Sequence, residues 1–328
     1  MEGLVGMTAV DIAISLNQGF PCPNCKARAS WHATGRSAVR ANSTLYWFRC
    51  ETCEERVVVK LVPLGARDAD GRHELEREFQ TLRKLRGIFP PNSHHGALIA
   101  ENYLELDGHA AMVTRLFPGK DLVRYARSAD REELGRMFHS AGALLRSLHD
   151  GCPDGYQLRE LDVGPKLAYL EETYRRILLR NSRTRRAFLR LRESADAVGL
   201  SPLRVSWAHG DYKPENVLYD GRKTILLDTK LDIRGAVVYD LASFLNHVYI
   251  AACSFRSGAL RNNNQFVEAA FLSGYGDLSA AEITALRWAQ LYFMLCYFGA
   301  HHKRGFPLNL YAYWRLAPLI EALAKQVA

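Results

Sequence analysis

The segment from Val205 to Asp228 leaves a chain few ways to fold. Val205-Ser206-Trp207-Ala208 is β-prone, and His209 to Asn216 is polar and punctuated by Gly210 and Pro214. Two short apolar runs follow, Val217-Leu218-Tyr219 and Thr224-Ile225-Leu226-Leu227, with Asp220-Gly221 between them. Asp-Gly between apolar runs is a hairpin signal, because a two-residue type I′ turn needs positive φ at both central residues. The pattern predicts strand, loop, strand, turn, strand. A turn at Asp220-Gly221 brings Asn216, at one open end of the hairpin, close to Asp228 at the other. An amide and a carboxylate that converge in this way make a hard, oxygen-rich site, which suits Mg2+ because that ion keeps its waters and takes few protein ligands. Asp211 lies five residues before Asn216 in a loop held by Gly210 and Pro214, so its carboxylate can face the same point. Lys213, two residues on, alternates back to that side.

His209-Gly210-Asp211, then Asn216, then Asp228 at the end of an apolar strand and Tyr239-Asp240-Leu241-Ala242 beyond it resemble the aminoglycoside phosphotransferase and choline kinase group of protein-kinase-like enzymes. The resemblance implies an α+β, two-lobed protein-kinase-like fold. A small antiparallel-sheet N-lobe would occupy residues 1–115, and a larger, mainly helical C-lobe residues 116–328. It also implies transfer of the γ-phosphoryl group of ATP, with GTP left open, to a hydroxyl of a small molecule: a sugar, a sugar-containing metabolite or an antibiotic. Lys213, by its place in the loop, is read as a neutralising group for the transferred phosphoryl; carried over position by position, Asp211 is the catalytic base. Asn216 and Asp228 are the Mg2+ ligands, Asp240 is structural at a helix start, and His209 supports the loop. Each residue alone reads as an ordinary turn, strand-end or core residue, and only the order and spacing together are specific.

A kinase of this kind needs a lysine on a central strand, and Arg56 to Val62 is a β-prone run with Lys60 inside it. Its partner should come from the next helix, about Gly71 to Arg86. The apolar stripe there is Leu75, Phe79, Leu82 and Leu85. Glu78 falls about 50° from the centre of that stripe, against roughly 90° and 110° for Glu74 and Glu76, so Glu78 is assigned to the ion pair. Ala33 to Val39 occupies the place of a phosphate-covering loop between two strands, with Gly35 and backbone contact from Ser37 and Ala38. His109 to Gly119 reads as a strand that stops at Pro118-Gly119. In a kinase this is the hinge, where backbone groups of Thr114 to Leu116 meet adenine. After it the chain turns helical, with candidate segments at Glu132–Leu148, Leu167–Leu191, Val238–Ala251, Gln265–Phe271 and Ala280–Gly299.

Seven cysteines leave one over in any disulfide framework. Four form two matched pairs, Cys22-Pro23-Asn24-Cys25 and Cys50-Glu51-Thr52-Cys53, separated by 24 residues. A two-residue gap lets both thiolates of one turn face a single metal, and two such turns complete a tetrahedral shell, as in a zinc ribbon. The alternative is four unrelated free thiols. The spacing between the pairs requires a hairpin or extended excursion, and a closed four-sulfur shell is structural, not catalytic. Such an element, at about residues 20–55, adds to what the family resemblance covers. Cys152, Cys253 and Cys296 read as small core or surface residues.

The chain has 328 residues, 48% of them hydrophobic, which is enough to bury more than one core. Basic residues number 43 against 35 acidic, for a net charge of +8, and Lys166 to Arg192 alone carries nine basic and two acidic side chains. Leu167, Leu170, Tyr174 and Ile177 recur at helical spacing there, so a solvated arginine-rich helix is favoured over a surface for an anionic partner or nucleic acid. Met1 to Val5 shows no basic leader and no run is long enough to span a bilayer, so a cytoplasmic protein is expected. A protein kinase is the nearest alternative, but Asp228-Thr229-Lys230 replaces Asp-Phe-Gly and no Ala-Pro-Glu segment follows. A pseudokinase that docks partners through the cysteine element has no need of Lys60, Glu78, Asp211, Asn216 and Asp228 together. A polycationic antibiotic is the less attractive acceptor for so basic a chain, and an acceptor pocket is sought among Asn246, His247, Tyr249, His301 and His302.

Overall fold

A computed structural model describes residues 7–26, 30–40, 42–63, 69–90, 93–106, 108–229, 231, 233–253 and 258–327. Met1 to Val5 and Lys230 lie outside the described residues. The chain divides into two compact units, one of residues 1–92 and 96–118, the other of residues 93–95 and 119–328.

The first unit is built on a five-stranded antiparallel sheet. Its strands run in the spatial order Trp31–Val39, Thr44–Cys50, Arg56–Pro63, His109–Arg115, Ala100–Leu106. The β-branched run Arg56–Pro63 is the middle strand, as its composition predicts, with Lys60 opposite Leu45 on one side and Met112 on the other. Alternation along it sends Val57, Val59 and Leu61 into a core with Phe48, Ala111, Val113 and Trp31. The helix Ala9–Gly19, started by a Thr8/Asp11 capping box, closes that core with Ile12 and Leu16. Lys60 belongs to the opposite set of the alternation. The helix Ala69–Ile88 buries Leu75, Leu82 and Leu85 of the predicted stripe and leaves its fourth member, Phe79, half-buried.

One expectation fails in this unit. Ala33 to Val39 is not a loop between strands but the body of the strand Trp31–Val39, irregular where its register shifts between Ala33 and Ser37. Gly35, at φ +74°, supplies the left-handed residue that this irregularity uses. The connection to the next strand comes later, where the Arg40 N–H donates to the Ser43 carbonyl.

The second unit is mainly helical. The helices Arg131–Asp150 and Asn264–Tyr275 pack against each other at a distance that only glycine permits. A Cβ on Gly142 would stand 2.0 Å from the Phe271 carbonyl oxygen, and one on Gly274 would stand 1.9 Å from that of His139. The helices Val237–Ala252 and Ala280–Lys303 complete the core with Phe244, Leu245, Trp288, Met294 and Phe298. The predicted helix Leu167–Leu191 is two helices, Gly164–Leu178 and Ser182–Glu193. Asn181 breaks it by capping the second, accepting from the Arg183 and Thr184 N–H groups, while the Thr184 hydroxyl donates to the Leu178 carbonyl. Among the described residues, no helix is long and apolar enough to cross a membrane.

Candidate active site

The predicted hairpin is present, one residue out of step. Val217 pairs with Leu226, Leu218 with Ile225 and Tyr219 with Thr224, and Leu218 also pairs with Asp121 of a third short strand. The central turn residues are Gly221 and Arg222, not Asp220 and Gly221. Gly221 alone has positive φ, +99°, as a turn with glycine first requires. Asp220 works from the flank, its carboxylate accepting the Arg222 and Lys223 N–H groups at 2.9 and 2.8 Å. The shift matters at the open end. The Leu227 N–H donates to the Asn216 carbonyl at 2.8 Å, so Asp228 directly follows a residue clamped to Asn216.

The clamp has a second jaw. The Leu227 carbonyl meets His209 Nε2 at 2.9 Å. A carbonyl only accepts, so Nε2 carries the proton and Nδ1 is left as an acceptor, facing the Asp211 N–H at 3.4 Å. Burial lowers the pKa of this ring below the ordinary histidine value, which keeps it neutral. His209 is thus a bracket between the loop and the strand that leads to Asp228.

Asn216 is held by its own amide. Nδ2 donates to the Asp211 carbonyl at 2.9 Å and to Asp211 Oδ2 at 3.2 Å. With both contacts on Nδ2, Oδ1 accepts none of the hydrogen bonds found among the described residues and is the oxygen left for a cation. Asp228 is exposed and sits at φ +51°, a conformation an Asp tolerates better than most residues. Amide oxygen and free carboxylate are hard donors, so this pair fits Mg2+ with water or phosphate completing its shell. The Lys213 ammonium pairs with Asp211 Oδ2, which brings Asp211, Lys213 and Asn216 to one point as the sequence implies.

Beneath the loop lies a network that the sequence did not disclose. The buried Asp240 carboxylate accepts the His209 N–H at 2.7 Å and the Gly210 N–H at 3.0 Å, and it meets His149 Nε2 at 3.2 Å. His149 Nδ1 meets the Tyr275 hydroxyl at 2.9 Å, and the Ser206 hydroxyl donates to the His149 carbonyl. Burial opposes the charge on Asp240. The His149 hydrogen bond, the two nearby histidines and the His209 N–H outweigh it and hold the carboxyl below its usual range. Tyr212 pins the other side of the loop: it is fully buried, stacks on Phe244 and donates its hydroxyl to the Ala141 carbonyl at 2.7 Å. Neither His149 nor Tyr212 carries a spacing signal. Both look like ordinary core residues until the fold brings them under the loop.

In the first unit, Lys60 Nζ and Glu78 Oε2 are 2.5 Å apart with both side chains mostly buried. Glu78, the glutamate nearest the apolar stripe, is thus the one that pairs with Lys60. The hinge expectation needs a correction. The Arg115 and Leu116 N–H groups are already given to the Ile99 and Arg56 carbonyls, at 3.0 and 2.9 Å, and the Thr114 hydroxyl donates to the Val58 carbonyl. A base edge meeting this segment finds no free donor on Arg115 or Leu116.

The four paired cysteines converge. All four sulfurs lie within 4.8 Å of one another, with Cys22 to Cys53 at 3.4 Å and Cys25 to Cys50 at 3.9 Å. Zn–S bonds of about 2.3 Å imply tetrahedral edges near 3.8 Å, whereas a disulfide needs about 2.05 Å. The two turns repeat one geometry. Lys26 and Glu54, the residues after Cys25 and Cys53, have φ +59° and +61°, and their N–H groups return to the Cys22 and Cys50 carbonyls. The intervening excursion is the hairpin Trp31–Val39 with Thr44–Cys50. Cys22 and Cys50 are also members of the core that holds Val57, Val59 and Val113. The donor set, the spacing and the repeated turns all fit zinc.

A cavity of about 270 Å3 opens in the second unit. Tyr174, Ile250, Phe293, Met294 and Tyr297 supply apolar wall, and Ser243, Asn246 and His247 supply the polar groups. Of the five pocket candidates, Asn246 and His247 are here. Tyr249 turns away to Glu268, His301 binds the Tyr297 carbonyl, and His302 packs on Phe298 and Tyr313. The charges of Lys213 and Asp211 both act on His247, so the cavity adjoins the loop.

Residues 39–275 match the model of the APH phosphotransferase enzyme family. The chain belongs to that family. It is therefore a phosphotransferase with an alcohol group as acceptor, and its fold is the two-lobed protein-kinase-like one, with an antiparallel-sheet N-terminal lobe and a larger helical lobe. No curated protein sequence matches the chain. Among solved structures it is similar to a microcompartment-associated aminopropanol kinase, with TM-score 0.55 and 18% identity over 97% of each chain. It is also similar to the streptomycin-ATP-APH(2")-IIa ternary complex, with TM-score 0.54 and 13% identity over 97% of this chain and 99% of that one. A choline/ethanolamine kinase family protein from Mesorhizobium loti follows, with TM-score 0.51 and 18% identity over 88% of each. At these identities the likenesses speak for the fold.

Proposed function

We propose that the chain transfers the γ-phosphoryl group of ATP to a hydroxyl of a small molecule, with Asp211 as base. The observation that supports this best is the double clamp on Leu227, which ties the residue before Asp228 to Asn216 and to the loop that carries Asp211. The acceptor oxygen attacks the γ-phosphorus while its proton passes to the Asp211 carboxylate. A new O–P bond forms, the bond from phosphorus to the β,γ-bridging oxygen breaks, and ADP leaves with that electron pair. Lys213 balances the Asp211 charge before transfer and the phosphoryl charge during it. Asn216 Oδ1 and Asp228 hold Mg2+, which supplies charge neutralisation on the phosphates.

In this reading, residues 1–115 carry the nucleotide functions and residues 116–328 the chemistry and the acceptor. Lys60, fixed by Glu78, neutralises the α- and β-phosphates. The Thr114–Leu116 segment meets the base through carbonyls, given its committed N–H groups. A phosphate contact by Gly35 and Ser37 has the weakest support, since both lie in a strand. Cys22, Cys25, Cys50 and Cys53 hold one structural zinc that fastens the edge of the sheet. Arg115 extends that fastening to the hinge strand, donating to the Pro23 carbonyl between the first two cysteines.

The walled cavity beside the loop favours a small molecule over a protein acceptor, because a peptide needs an open groove. The test is ATP-dependent phosphorylation across a panel of sugars, sugar-containing metabolites and antibiotics. Transfer to one of them supports the reading. Transfer to protein substrates alone replaces it with the protein-kinase alternative.

A further inference from the structure

The cavity that adjoins Asp211 carries a chemical signature of its own, and the acceptor class read from it deepens the proposed function and rests on it. Among the described residues, none that lines the wall is an aspartate or glutamate. The two carboxylates whose charge reaches its rim, Asp211 at His247 and Glu215 at Tyr297, both face the Lys213 ammonium. An incoming ammonium group therefore finds no carboxylate in the described wall itself, and at the rim Asp211 is already paired with Lys213.

Aromatic faces can also hold a cation, but two of the three aromatic rings of the described wall, Tyr174 and Tyr297, are already engaged. The Lys303 ammonium lies 4.8 Å from the centre of the Tyr174 ring, and His301 stacks on Tyr297 at 4.7 Å. Behind the wall, the Lys166 ammonium sits over Tyr239 at 4.3 Å and Tyr292 at 5.6 Å, and its charge acts on Cys296, a wall residue. A cationic ligand would join the ammonium groups of Lys213, Lys303 and Lys166 in the neighbourhood.

The polar groups that are free point the same way. Asn246 is 4% exposed. Its Nδ2 is spent on the Gln290 carbonyl, while its Oδ1 has no partner among the described residues. Both ring nitrogens of His247 are also without a hydrogen-bond partner among the described residues. Burial holds that ring's pKa down at about 4, so near neutral pH it offers one donor and one acceptor. The hydroxyls of a polyhydroxyl ligand can supply the two donors and one acceptor that these three atoms need. An ammonium only donates and would leave the imidazole N–H without an acceptor.

We propose that the acceptor is a non-cationic polyhydroxyl compound with an apolar or aromatic portion, selected by Asn246 and His247, and that amine-bearing acceptors are disfavoured. Aromatic glycosides have this chemistry: the ring meets Ile250, Phe293 and Met294, and the hydroxyls meet the polar end at Asn246 and His247.

The probes are phenyl β-glucoside and its 2-amino-2-deoxy analogue, identical except for one hydroxyl exchanged for one amine. Calorimetric binding to the full-length protein near pH 7 reads the pocket without requiring turnover, and phosphate transfer from ATP reads the function separately. The neutral glycoside should bind about tenfold tighter, which corresponds to about 1.4 kcal/mol. His247→Phe should reduce the preference to within about threefold, and Ser243→Asp, which adds a carboxylate to the wall, should swing it towards the amine. Equal or tighter binding of the amine by the unaltered protein overturns the proposal, as does failure of both to bind at millimolar concentration. The predicted preference without phosphate transfer upholds the pocket and counts against the assigned reaction instead.

Discussion

Asp240 accepts hydrogen bonds from the backbone of His209 at 2.7 Å and of Gly210 at 3.0 Å, so a helix residue sets the path of the loop that carries Asp211. Replacing Asp240 by Ala leaves two loop N–H groups and the buried His149 ring without their acceptor. The expected cost is about 2–4 kcal/mol of stability, with a large loss of turnover. Denaturant unfolding and kcat measured together check it. A stable but inactive variant fits a positioning role, and full activity contradicts it.

The same residues give stability a definite dependence on pH. Asp240 has a folded pKa below the unfolded value near 3.9, so its contribution is complete above about pH 4 and fades as pH falls through the folded value. His209 and His247 also have lowered folded pKa values. Each contributes fully above about 6.5, and for His247 the contribution is lost as pH falls towards about 4. For His247 this is worth roughly 3 kcal/mol at most. Urea unfolding should show stability falling from pH 7 to pH 4.5, with a shallower fall in His247→Phe. A flat profile in the unaltered protein contradicts these environments.

The hairpin shows how far sequence reasoning reached. Asp220-Gly221 predicted a turn, and the turn exists, but Asp220 uses its carboxylate from the flank and Gly221 takes the strained position one residue later. The one-residue slip was invisible because side-chain capping competes with backbone pairing on equal terms. Glu78 was legible because helical phase alone separates it from Glu74 and Glu76. The strand at Ala33 to Val39 was not, since a glycine inside a strand and a glycine in a loop look alike until the register is known. His149, Tyr212 and Leu227 had no local pattern at all. Their contributions come from partners more than 10 residues away in sequence.

The ion pair between Lys60 and Glu78 should govern nucleotide affinity. Glu78→Gln frees the lysine from its position and should raise the KM for ATP about 10- to 100-fold, and Lys60→Met should do at least as much. Steady-state kinetics with ATP varied will show it. An unchanged KM for ATP in both variants removes the pair from the nucleotide site.

Metal analysis should return one zinc per chain. Cys50→Ser with Cys53→Ser should lose it and loosen the first unit, because Cys50 shares a core with Val57 and Val59. Mass spectrometry of the native protein together with thermal unfolding tests this. Absence of zinc, with all four thiols freely alkylated, contradicts the metal.

The arginine-rich segment is tied down by internal partners. Arg183 and Arg186 both pair with Glu321, and Arg192 pairs with Glu171. Neutralising Arg183 and Arg186 should cost about 0.2–1 kcal/mol each and leave the acceptor's KM unchanged. A KM that rises severalfold would place an anionic partner on this helix.

The most direct test compares the unaltered protein with Asp211→Asn, using γ-labelled ATP and the hydroxyl acceptor that a screen identifies. If Asp211 accepts the acceptor's proton, kcat should fall by about 10²- to 10⁴-fold while the dissociation constant for ATP changes little. Turnover near that of the unaltered protein would contradict the assignment of Asp211 as the base.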